Sequence, residues 1–257
     1  MKRLLGKALD NAISLGVVVI VLFLIIPLRT ELLDFLLIIN IGLSIMILMI
    51  TMNISETLEF SIFPSLLLVT TLFRLGLNVS STRAIQNFGN LITGGNIVVG
   101  VVIFLIIVLV QFIVITKGAE RVAEVAARFT LDAMPGKQMA IDADLSSGLI
   151  DEQTARLRRG KIQKEADFYG AMDGATKIVK GDAVMSLLIT LINFVGGVII
   201  GMVMGGGDFS TVLQKYSIVT IGDGLVSQLP ALMISTATGM IVTRSVSEGS
   251  LNKDVVA

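Results

Sequence analysis

The sequence predicts an all-α, polytopic integral membrane protein with about six transmembrane helices and a helical cytoplasmic loop. Three observations lead there. Of 257 residues, 54% are hydrophobic and 16% charged, and the mean hydropathy is +0.87, outside the range of soluble domains. Apolar runs recur at the length of about 20 residues that a helix needs to cross roughly 30 Å of hydrocarbon. The charge is concentrated in one stretch, Lys117 to Asp182, which holds eleven basic and eleven acidic residues.

That balance makes the stretch neither a basic nucleic-acid arm nor an acidic tail, so no nucleic-acid partner is expected. Charge of both signs interleaved with Val, Ala, Leu, Met and Phe folds into helices rather than staying disordered. The chain has no Cys and no His. A disulfide framework, thiolate metal sites and the commonest general base are therefore excluded, and neither metal nor cofactor is expected. No nucleophile and base pair stands out, so an enzyme is the class that fits least. MKRLLGKALDN precedes the first apolar run without a small-residue cleavage site, which predicts a retained span rather than a signal peptide.

Taken in order, the predicted spans are Ala12 to Leu28, Leu32 to Met52, Phe60 to Leu77, Asn96 to Thr116, Ala183 to Gly207 and Tyr216 to Thr243. They divide the chain into an N-terminal membrane region (1–116), a cytoplasmic helical loop (117–182), C-terminal membrane helices (183–244) and a cytoplasmic tail (245–257). Pro64 and Arg74 in the third span, and Asp223 and Pro230 in the sixth, predict broken, tilted or partly re-entrant helices. Flanking positive charge is retained in the cytoplasm. Lys2, Arg3 and Lys7 precede the first span and the basic residues of the loop follow the fourth, which places both termini and the loop on the cytoplasmic side.

Smaller features have local explanations. Pro27 to Thr30 reads as a tight hairpin, and the turn after Met52 carries Glu56 and Glu59. Gly94-Gly95-Asn96 lacks the strand and Lys-Ser/Thr of a phosphate loop and reads as a turn or helix start. Gly196, Gly197 and Gly201 suit close helix packing.

Within the loop, Glu120, Glu124, Arg128 and Asp132 share one helix face. They can pair as Glu124 with Arg128 and Arg128 with Asp132, and Arg121 can join them. Pro135-Gly136 is expected to end this helix. Asp142 and Asp144 lack the remaining positions of a calcium loop. A second helix is expected from Asp151, with Arg156, Arg158 and Arg159 on a solvated or lipid-contacting face. Asp182 falls where polar loop gives way to apolar span, with Lys177 and Lys180 just before it. Two readings stand side by side: a helix cap stabilised by the dipole, and a proton-responsive switch at the bilayer edge.

FSIFPSLLLVTTLFRLGLNVSSTR, FGNLITGGNIVVG, FIVITKGAERVAEVAARFTLDAMPGKQMAIDADL and EADFYGAMDGATKIVKGDA occur in that order. Together they resemble the FlhA family, the large membrane component of bacterial type III protein export, over about Ala12 to Arg244. The wording EADFYGAMDGA is closer to the flagellar than to the injectisome branch. The resemblance implies a homo-oligomeric ring, a nonamer, in the bacterial inner membrane that couples proton-motive force to export of unfolded flagellar subunits. Its implied partners are other export-gate membrane proteins and, through a soluble domain, exported flagellar proteins and the export ATPase complex. By motif match, the charged residues on which the family's export depends fall on Arg121, Arg128, Asp132, Lys177 and Asp182. The turn between Arg83 and Phe88 is shorter than the family pattern. The sequence ends in RSVSEGSLNKDVVA, where family members continue into another hydrophobic hairpin and the soluble domain.

A small-solute or ion transporter is the alternative, motivated by Arg74 and Asp223 inside spans. Interhelical pairing or snorkelling accounts for those two residues equally well. A purely structural ring subunit is a third reading.

Overall fold

The computed structural model describes residues 15–16, 18–23, 28–81, 120–205 and 208–244, together with 102, 104–106, 108, 109, 113 and 118. The described elements are helical: α1 (Thr30–Asn53), a 3-10 turn (Thr57–Phe60), α2 (Phe63–Ser81), α3 (Glu120–Ser146), α4 (Glu152–Gly205) and α5 (Phe209–Thr243). Among the described residues, four helices are long and apolar enough to cross a membrane: α1, α2, α4 and α5. Described residues of the predicted first and fourth spans are also helical between 15 and 23 and between 102 and 113. The rest of those two spans lies outside the described residues, as do the Gly94-Gly95-Asn96 turn, the Arg83 to Phe88 turn and the tail after Arg244.

The apolar stretches of α2 and α5 are mostly buried, whereas that of α4 is almost entirely half-buried or exposed. Polarity explains the order. The inner helices carry Thr70, Thr71, Arg74, Asn78, Asp223, Ser227 and Gln228, all buried, and intramembrane polar groups face the bundle interior rather than lipid. The outer face of α4 offers Leu188, Leu191, Ile192, Val195, Ile199 and Val203. Phe63, Leu67, Ile234 and Ile241 from the inner helices pack with Ile47 of α1 and Met172 and Val179 of α4.

Proline does not break helices where the sequence suggested it would. Pro64 falls in the first turn of α2, where its missing N–H has no partner to lose. Pro230 lies inside α5, buried among neighbours that hold the helix together. Pro135 also lies inside a helix, because α3 continues to Ser146. The carbonyl it leaves free belongs to exposed Leu131, which water can satisfy. The actual terminator is Gly148, at φ +76°. Its N–H donates to the Leu145 carbonyl at 3.1 Å, and that of Leu149 to the Asp144 carbonyl at 3.0 Å. This paired closure satisfies the last carbonyls and needs a left-handed residue, which glycine supplies.

α4 then starts on Asp151, whose Oδ1 accepts the Thr154 N–H at 2.8 Å. It runs unbroken for 54 residues, roughly 80 Å at 1.5 Å per residue. The division drawn at residue 182 therefore falls inside one rod, and Asp182 caps nothing. No proline interrupts KIVKGDAVMS, and the single Gly181 costs about 1 kcal/mol, less than the packing on either side returns. Near its far end Gly197 and Gly201 admit Tyr216 of α5. A Cβ on Gly201 would stand 2.6 Å from the Tyr216 ring and 2.7 Å from Val212. Gly196 faces open space and takes no part in that contact.

α3 and α4 form the hairpin read as a loop. Lys137 pairs with Glu165 at 3.1 Å, Arg158 with Asp144 at 3.1 Å and Arg159 with Asp142, so both aspartates of the calcium-like run are engaged by arginine. Lys161 reaches Glu56 beside the 3-10 turn at 2.9 Å. The hairpin thus touches the turn that follows α1.

Candidate functional site

On α2 the buried positions Leu67, Thr70, Thr71, Arg74, Leu77, Asn78 and Ser81 recur every three or four residues, so they form one stripe. On α4 the stripe Met172, Ala175, Thr176, Val179, Asp182 and Ala183 does the same. Where the stripes meet, Arg74 and Asp182 are 1% and 5% exposed. The Arg74 Nε donates to Asp182 Oδ2 at 2.8 Å, and Nη2 donates to the same oxygen. Among the described residues, Arg74 Nη1 and Asp182 Oδ1 have no hydrogen-bond partner. A buried ion pair with both ends incompletely satisfied contributes little net stability, yet removing one partner costs about 3–5 kcal/mol because the other charge is left stranded.

One turn further along both helices, Asn78 Nδ2 donates to Ser186 Oγ at 3.3 Å. Seven residues beyond Arg74, or roughly 10 Å along the axis, the Ser81 hydroxyl meets Asp223 Oδ1 of α5 and lies 2.9 Å from the Asn78 carbonyl. A hydroxyl has one proton to give. Ser81 donates to an ionised Asp223, or it donates to the carbonyl and accepts from a protonated Asp223. Asp223 also borders a cavity of about 370 Å³ with Asn193, Tyr216 and Thr220. The polar groups therefore step from Asp182 through Arg74, Asn78 and Ser81 to Asp223, across three helices.

The sequence singled out Arg74, Asp182 and Asp223 but did not join the first two. Interhelical pairing was one of the readings open for Arg74, and the partner lies on α4. Asn78, Ser81 and Ser186 were missed, although their spacing from Arg74 and Asp182 by four or seven residues was legible. The remaining site candidates lie on the exposed hairpin. Arg121 pairs with Glu124 at 2.8 Å, Arg128 approaches Asp132 only to 3.9 Å, and Lys177 pairs with Asp173 at 2.8 Å. Glu124 is thus held by Arg121 rather than by Arg128. Among the described residues no ion pair joins Arg121, Arg128, Asp132 or Lys177 to Asp182. The link to the start of α3 is Lys180 with Glu120 at 2.7 Å, backed by Ala123 and Ala127 in the core formed with Met172, Ala175 and Val179. Among the described residues there is no group of three or more His, Cys, Asp or Glu that could hold a metal ion.

Residues 20–257 match the FHIPEP family. Flagellar biosynthesis protein FlhA of Bacillus subtilis is 57% identical over 256 residues, which cover 96% of this chain and 38% of that protein. The protein of the same name from Caulobacter vibrioides is 54% identical over 259 residues, covering 95% and 37%. Low calcium response locus protein D of Yersinia pestis is 50% identical over 269 residues, covering 98% and 38%. The chain thus spans less than two fifths of the length of these curated relatives. No solved structure matches.

Proposed function

The chain belongs to the FHIPEP family, and from that premise we propose that it is the membrane portion of a flagellar protein-export component in which proton-motive force drives the hairpin. The observation that carries this reading is the buried pair of Arg74 on α2 with Asp182 on α4, the helix shared by membrane and hairpin. Ionised Asp182 compensates Arg74; protonated Asp182 does not. A guanidinium stranded in a low-dielectric interior is costly, so proton binding favours any displacement of α4 that gives Arg74 water or another acceptor. Because α4 is continuous, a displacement at Asp182 moves the hairpin with it. Asp223, Ser81 and Asn78 supply the polar steps from the membrane interior. Arg121, Arg128, Asp132 and Lys177 lie on the moving part and act as its outward contacts.

In this reading copies of the chain form a ring, a nonamer, in the inner membrane with both termini cytoplasmic. The exposed apolar faces of α1 and α4 are available to neighbouring copies, other export-gate membrane proteins or lipid. Exported flagellar proteins and the export ATPase complex are its further partners in this reading. Placing Asp182→Asn in the full-length protein tests the coupling. The expected result is loss of flagellar export with ring assembly retained; normal export would exclude Asp182 as the coupling group, and lost assembly would favour a scaffold.

A further inference from the structure

Two adjoining hollows at the membrane end of the hairpin differ in polarity and share a wall. The first, about 510 Å³, is an apolar groove along α1 from Gly42 past Met46 and Met49 to Ile54 and Glu59. The second, about 630 Å³, is a mostly polar cavity enclosed by the 3-10 turn, α3, α4 and Arg244 at the end of α5. Glu59 lines both.

The polar cavity is lined by two buried side chains with unpartnered polar atoms among the described residues. Arg244 is 6% exposed, and its Nη1 donates to the Thr51 carbonyl at 2.7 Å. Its Nε and Nη2 have no hydrogen-bond partner among the described residues, and neither does the hydroxyl of buried Tyr169. The Nε and Nη2 edge of a guanidinium is the fork that grips two oxygens of a phosphate or carboxylate. The acidic side chains around the cavity are engaged elsewhere: Glu56 by Lys161 at 2.9 Å, Glu165 by Lys137 at 3.1 Å, and Glu59 by the Ser55 N–H at 2.7 Å. No described carboxylate of this chain fills the fork.

We propose that groove and cavity together bind one diacyl phospholipid, with its phosphate on Arg244 and Tyr169 and an acyl chain along α1. An oxyanion alone would leave the groove unused, and a hydrocarbon alone would leave the fork unsatisfied. The span from Gly42 to Ile54 is roughly 18 Å of helix axis, close to the half-thickness of about 15 Å available to one leaflet's chains.

The test is native mass spectrometry of the full chain extracted into detergent from phosphatidylethanolamine nanodiscs. One phospholipid per chain is expected to stay bound. Arg244→Gln should lower the retained fraction about tenfold, the worth of one charge-assisted fork, and Tyr169→Phe should lower it less. Gly42→Phe, which places a ring in open space over the groove, should lower retention with Arg244 intact; it carries the test if Arg244→Gln does not fold. Diacylglycerol should not be retained, and millimolar inorganic phosphate should not displace the lipid. Retention in Gly42→Phe equal to wild type, or diacylglycerol held as well as phospholipid, would overturn the proposal. So would inorganic phosphate binding to the lipid-free chain in an Arg244-dependent way while no phospholipid is held, since that would make the cavity a free-anion site.

Discussion

Arg74 places a charge inside a transmembrane helix, and the carboxylate of Asp182 beside it makes that tolerable. Because the pair is worth little as a whole and much when halved, single and double substitutions should separate sharply. Arg74→Met and Asp182→Leu are each expected to cost about 3–5 kcal/mol, whereas the double variant should recover most of that loss. Thermal or denaturant unfolding of the purified protein in detergent checks this. Additive losses would mean that the two residues do not depend on each other. At the exposed end of the scale, Arg128 and Asp132, 3.9 Å apart with both side chains largely in solvent, are coupled weakly. Asp132→Asn should leave unfolding unchanged within about 0.5 kcal/mol, and any effect on export then reports a lost contact with a partner.

Helix ends and crossings set the second scale. Asp151 is fully exposed, and the side chain and backbone N–H of Thr154 hold its carboxyl below the ordinary 3.8. A depressed carboxylate contributes its capping above the unfolded value and loses it as pH falls through the folded one. The start of α4 is therefore expected to fray only below about pH 3.8. Amide exchange at Thr154 should rise there, and Asp151→Ala should show the same rise at neutral pH. Where α4 meets α5, the ring of Tyr216 fills the space a side chain on Gly201 would need. Gly201→Leu should separate the two helices and lower the unfolding temperature, while Gly196→Leu, which faces open space, should not.

Over the whole molecule, the consequential feature is that one helix belongs to both the membrane and the hairpin. The absence of cysteine makes this directly testable, because two introduced cysteines can carry the only spin labels. Labels at Leu157, on the hairpin, and Phe35, on α1, are both at exposed positions. If α4 moves as a rod, the distance between them should shift by several ångströms when Asp182→Asn mimics protonation, since a tilt at Asp182 is amplified over roughly 35 Å of helix. An unchanged distance would show that the ion pair does not control the hairpin. The exposed pair of Lys161 with Glu56 is worth too little to resist such a movement.

The all-α membrane class and the polar insert follow from composition and local order alone, because a lipid-like run and a charge-balanced run are properties of consecutive residues. Membership of the family was likewise readable in FSIFPSLLLVTTLFRLGLNVSSTR and EADFYGAMDGATKIVKGDA, as were Arg74, Asp182 and Asp223 taken singly. Boundaries were less legible where a local rule met a stronger long-range term. Pro135 was expected to stop α3, and a helix cap was one of the two readings of Asp182, because proline and a polar-to-apolar switch are local signals. Continuity of α3 and α4 depends instead on packing between residues far apart in the chain. The partner of Arg74 lies 108 positions away, and no periodicity reaches that distance. Sequence by itself determined which residues are costly to bury; only the tertiary structure decided which of them are buried together, because charge compensation in a low-dielectric interior depends on separation in space.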